Sequence, residues 1–115
     1  MNFIKRGVLV LKPKAPFLSW VKYSHDANIE ITLEDISCDP TAYLTPELAG
    51  DEGLREFVEQ NHSALFEHEL VEWTHDEEEW PINRDLDTFN EWFEVEFHSM
   101  VLDLVDEAIE GEAKI

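Results

Sequence analysis

The 115-residue chain has one cysteine, four glycines, five prolines and only eight basic residues. A lone Cys38 excludes an internal disulfide and any paired-cysteine metal site, and with no base beside it in sequence it reads as a small apolar residue. The N-terminal apolar run Gly7-Val8-Leu9-Val10-Leu11 is too short for a signal-peptide core or a membrane span, so a cytoplasmic location is expected. The chain also lacks a glycine-rich phosphate loop, a nucleophile elbow and a basic stripe with interleaved aromatics. No motif therefore supports an enzymatic activity, and no cofactor is expected.

What the chain has in abundance is acid. Twenty-seven Asp and Glu give a formal charge of −19. Five of the eight bases, Lys5, Arg6, Lys12, Lys14 and Lys22, precede the first acid, Asp26, so residues 1–25 carry +5 and residues 26–115 carry −24. A surface of that sign repels nucleic acid, anionic membranes and phosphorylated substrates, and attracts basic proteins or cations. Against this charge stand 43% apolar and 11% aromatic residues, too many for a disordered chain. One domain, 1–115, is expected, large enough to build a core without staples.

Apolar periodicity is densest in Thr88 to Val105, TFNEWFEVEFHSMVLDLV. Read as a helix, Phe89, Trp92, Phe93, Phe97, Met100, Val101, Leu104 and Val105 recur at spacings of three and four. Read as a strand, Phe93, Val95 and Phe97 alternate with Glu94, Glu96 and His98, and Met100, Leu102 and Leu104 continue the apolar face after a one-residue slip. A β-bulge at His98–Ser99 would produce that slip. The preferred reading is a short helix over 85–92 followed by a strand over 93–105, because the Phe-Glu-Val-Glu-Phe alternation accounts for every polar residue there.

Elsewhere, residues 5–12 (KRGVLVLK) predict a strand covered on both faces, and residues 15–23 a helix with Phe17, Leu18, Trp20 and Val21 inward. The NIEITL alternation at 28–33 makes a further strand candidate, and 41–45, before Pro46, an edge-proximal one. Residues 51–74 form the clearest helix, with Asp51 placed to cap it. It carries one stripe of Leu54, Phe57, Val58, Asn61 and Leu65 and a second of Phe66, Leu70 and Trp73, with His62 and Glu69 between them as the polar residues to be partly buried. The tail after Val105 is polar and expected to fray. The fold class that results is α+β: a small, mostly antiparallel sheet of three to four strands packed with two to three helices.

Three groups of polar or aromatic residues bear on function. On the strand reading Glu94, Glu96 and His98 share one face at i, i+2 and i+4, which makes them candidate metal ligands and equally the wet face of a sheet. His68, Glu72 and His75 share a helical face if the helix lasts that far, so His68 or His75 can join the same site. The zinc-protease pattern is absent, because Glu72 stands where its second His would be. Trp73 and Trp80 flank the acidic run Asp76–Glu79, and Trp80 lies near Arg84. Those three, Trp73, Trp80 and Arg84, are candidate partner-binding residues. They read equally as core or loop anchors, with Arg84 salt-bridged to Asp85, Asp87 or a loop acid.

The opening strand followed by K-P-K-x-P-F-L-x-W, and the W…W-P-x-N-R-D…F-x-x-W-F…H-S-M-V-x-D-L-x-D-E arrangement of residues 73–107, resemble a family of small acidic bacterial proteins with no assigned activity. The resemblance implies a bacterial source and a stand-alone domain, and carries no chemistry onto any residue. Two functions from different classes follow from the residues themselves. One is a non-enzymatic interaction or regulatory protein that binds a basic macromolecular partner, in one version as an inhibitor or nucleic-acid mimic. The other is a metal-dependent enzyme or metal-binding protein built on Glu94, Glu96 and His98. Direct nucleic-acid or membrane binding is not expected, and a homo-oligomer is compatible with either.

Overall fold

The computed structural model describes residues 1–24 and 30–113. The elements run β1 (Asn2–Ile4), β2 (Gly7–Pro13), α1 (Ala15–Ser24), α2 (Leu33–Ser37), β3 (Ala42–Thr45), α3 (Gly50–Val71), a single 3-10 turn (Glu77–Glu79), α4 (Leu86–Trp92), β4 (Phe93–His98) and β5 (Val101–Asp103). They make an α+β fold with two antiparallel sheets: three strands in the order β3-β2-β4, and a two-stranded ribbon of β1 and β5.

The core lies on one face of the three-stranded sheet. Leu9 and Leu11 of β2 and Phe93 of β4 point into it, and Phe17, Trp20 and Val21 of α1, Val58, Leu65, Phe66 and Leu70 of α3 and Phe89 of α4 close over them. Six aromatic rings, Phe17, Trp20, Phe66, Phe89, Trp92 and Phe93, form a connected cluster with centroids 5.1–6.3 Å apart in tilted or edge-on geometry, the arrangement ring quadrupoles favour. The helix-to-strand switch expected in the 85–105 stretch falls between Trp92 and Phe93. Asp85 starts α4 by accepting from the Thr88 backbone N–H at 2.8 Å, and its carboxyl is held below the usual range by that bond. Lys14 ties the end of α4 to the start of α1, its N–H donating to Trp92 O and its Nζ to Asn90 O, both at 2.8 Å.

Several expectations are corrected. The strand over 93–105 is two strands, and β4 and β5 keep one alternation: Phe93, Val95, Phe97, Val101 and Asp103 lie on the more buried side, while Met100, Leu102 and Leu104 are exposed. The slip lies on the opposing strand. The ladders resume at Ile4↔Val101 and Val8↔His98, leaving Lys5, Arg6 and Gly7 on one chain against Ser99 and Met100 on the other, so the extra residue sits in the N-terminal segment. A short bond from Arg6 N–H to Ile4 O, 2.8 Å, closes that bulge. Within the strand candidate at 28–33, residues 28 and 29 lie outside the described residues, and Thr32 instead caps α2 through a reciprocal pair with Asp35. The long helix ends at Val71 rather than 74. Ala49, not Asp51, occupies its N-cap, with Asp51 and Glu52 in the first turn, where the helix dipole favours acids. Strand β2 is fully covered only on its core face, Val8 and Val10 being half-buried, while β3 is an edge as expected. No helix of the described residues is long and apolar enough to cross a membrane.

Candidate functional site

A cleft of about 310 Å³ opens where the segment from α2 to β3 passes the C-terminal half of α3 and the end of β2. Pro13, Ile36 and Trp73 are its accessible apolar side chains, over the buried Leu11 and Phe17, and Asp39, Glu69 and Glu72 supply carboxylates to a lining that is mainly polar. The fold assembles it in three steps. Thr32 and Asp35 cap α2 and so fix Ile36. The turn at Asp39-Pro40 sends the chain into β3, whose pairing with β2 places Tyr43 against Leu9. The second apolar stripe of α3 faces inward through Phe66 and Leu70, which leaves His68 and Glu69 facing Tyr43.

At the edge of the cleft Glu69, Tyr43 and His68 are linked by hydrogen bonds, with Glu72 next to the far nitrogen of His68. The Tyr43 hydroxyl donates to Glu69 Oε2 at 2.5 Å and lies 2.7 Å from His68 Nδ1. His68 Nε2 is in turn 3.2 Å from Glu72 Oε1. A phenol has one proton; with that proton given to Glu69, the Tyr43 oxygen accepts from His68 Nδ1–H. Burial dominates the titration here. Only 15% of the Glu69 side chain is exposed, and desolvation raises its pKa even though the Tyr43 hydrogen bond acts in the opposite sense. The Tyr43 hydroxyl is likewise pushed up, by burial and by the Glu69 carboxylate, and stays a proton donor. The group is thus a shielded carboxylate held in place by a phenol, next to a second, more exposed carboxylate. Such a pair can receive a cation, and the half-buried Pro13, Ile36 and Trp73 beside it can line the stem of a long side chain.

The candidate metal residues lie on the opposite face of the sheet from the core. Glu94 pairs across the ladder with Lys12, Glu96 with Val10 and His98 with Val8. Glu96 is engaged on both sides: Lys12 Nζ is 2.9 Å from Oε1 and His98 Nε2 is 3.1 Å from Oε2. The His98 and Lys12 hydrogen bonds lower the Glu96 pKa, and Glu96 raises that of Lys12. Glu94 and Glu96 also border a hollow of about 330 Å³ with Lys12 at its side. His68 belongs to α3 and the Tyr43 group, while His75 lies beyond the helix end, exposed. Among the described residues no three His, Cys, Asp or Glu side chains form a group able to hold a metal ion.

The three candidate partner-binding residues separate. Trp73 lines the cleft. Trp80 donates its Nε1–H to Thr74 O at 3.0 Å, and Arg84 lies over its ring, 5.7 Å from the centroid, while donating to Pro81 O at 2.7 Å. The expected salt bridge of Arg84 is not formed among the described residues, because its guanidinium is drawn to the ring and the carbonyl of its own loop. Trp20 holds the same loop from the core side, donating to Glu79 O at 2.8 Å.

Tyr43 and Asp39 are the site residues that sequence reasoning missed. Glu69 had a signal, since it falls between two apolar stripes of one helix, and both it and His62 are half-buried as that position requires. Tyr43 had none, because its partner is 26 residues away on another element. Comparison with family models, with curated proteins and with solved structures finds no match to this chain.

Proposed function

We propose that the protein is a non-enzymatic interaction or regulatory protein, and that its cleft receives a lysine or arginine side chain of a basic macromolecular partner. The observation that carries the reading is that Glu69 and Glu72 line one cleft together with the half-buried apolar side chains of Pro13, Ile36 and Trp73. A long basic side chain has the matching form, an apolar stem with a charged head, and a tryptophan face adds attraction for that head. The charge of the whole molecule, −19, steers such a partner toward it and turns nucleic acid away. A cytoplasmic setting suits a protein whose one cysteine is free and exposed.

A fluorescently labelled lysine- and arginine-rich peptide tests this by anisotropy. Binding should weaken at least tenfold in a Glu69→Gln, Glu72→Gln double variant and fall steeply as salt rises, since exposed charges are screened over about 8 Å at physiological ionic strength. Equal binding by the double variant, or binding indifferent to salt, would reject the proposal.

A further inference from the structure

The β1–β5 ribbon exposes a run of large apolar side chains on one face, and charge of opposite sign stands beyond its two ends. Phe3 and Leu102 pair across the ribbon, and alternation puts Met1, Met100 and Leu104 on the same face. These five side chains are 49–80% exposed. The two strands pack substantially only on each other, and an isolated two-stranded ribbon is marginal in water. The radius of gyration, 15.7 Å, exceeds the roughly 13 Å of a compact chain of this length, as a projecting arm requires. Lys5 and Arg6 stand at one end of the ribbon, and Asp106 and Glu107, just past β5, stand beyond the other; Asp103 lies on the opposite side from Leu102.

We propose that this face is a homodimer interface in which the ribbons of two copies stack face to face about a two-fold axis that reverses their direction. Phe3 and Leu102 then pack on their own counterparts, and the basic end of each ribbon lies over the acidic end of the other. This occupant fits where others do not. An anionic lipid surface would suit Lys5 and Arg6 but meets Asp106 and Glu107 just beyond the far end of the ribbon. A second copy satisfies both ends, and it approaches through the segment where the chain concentrates its positive charge, which is where two molecules of −19 repel least. The five side chains offer on the order of 600 Å² per copy, below the usual ~800 Å² per partner, so the dimer is a weak, reversible one.

Sedimentation velocity on the full chain at physiological salt, from low micromolar to millimolar concentration, tests the interface. The wild type should pass reversibly from monomer to dimer. Leu102→Glu should weaken association at least tenfold without lowering the melting temperature, because the side chain is already half exposed. Lys5→Glu with Arg6→Glu, a surface change that spares the apolar face, should also weaken it, and adding Asp106→Lys with Glu107→Lys should restore it. A wild type that stays monomeric throughout overturns the proposal. So does a dimer untouched by Leu102→Glu or by the charge reversal, or a reversal that the second pair fails to rescue. Monomeric wild type that binds vesicles rich in phosphatidylserine would assign the face to a membrane instead.

Discussion

Burial and hydrogen bonding pull the Glu69 proton in opposite directions, and burial wins. The Tyr43 hydroxyl stabilises the carboxylate, but desolvation raises the pKa above the ordinary 4.5. A group whose folded pKa lies above its unfolded one contributes its full stability below the unfolded value and loses it as pH rises through the folded value. Glu69→Gln keeps an oxygen to accept from Tyr43 and removes the buried charge. Urea melts across a pH series should therefore show the variant gaining on the wild type as pH climbs from about 4.5, with the difference levelling off at neutral pH. A wild type more stable than the variant at neutral pH would mean that the Tyr43 bond outweighs burial. Polar positions flanked by apolar stripes are legible in a sequence, so Glu69 was; its phenol partner was not, because a tertiary contact between a strand and a distant helix leaves no local pattern.

Among the elements, the join between ribbon and sheet shows where periodicity informs and where it misleads. The alternation of Phe93, Val95 and Phe97 against Glu94, Glu96 and His98 is real, and the strand forms as the pattern dictates. Extending it by assuming that every apolar residue faces the core put a bulge at His98–Ser99; the apolar residues beyond, Met100, Leu102 and Leu104, instead face outward. The compensating extra residue lies in Lys5-Arg6-Gly7, and Gly7 is the position that tolerates it. A Cβ there would come within 2.6 Å of the Phe97 ring and 2.7 Å of Thr45 Oγ1. Gly7→Ala should therefore cost about 1–3 kcal/mol through overpacking, read as a lower denaturation midpoint with unchanged slope. A midpoint equal to the wild type's would show that Phe97 and Thr45 shift freely, and that the bulge is not fixed by close packing. A similar conflict of patterns hid α2: NIEITL alternates like a strand, but Thr32 and Asp35 stand at capping-box spacing, and the cap prevails.

At the scale of the molecule, fold class was legible because each level agreed: a 3.6-residue period in residues 50–71, a two-residue period at 7–13 and 93–98, and turn residues between them. The acidity was plain from composition, while the place where it lines a cleft was not, since the cleft is made by three separate stretches of chain, 11–17, 36–41 and 69–73. Residue-resolved NMR shows directly whether a basic partner docks there. A titration of the isotope-labelled full chain with a short lysine- and arginine-rich peptide should move the amide signals of Ile36, Asp39, Thr41, Tyr43, Glu69, Glu72 and Trp73 together and saturably. Shifts spread evenly over the acidic surface, or gathered on Asp76–Glu79 with the cleft unmoved, would contradict it.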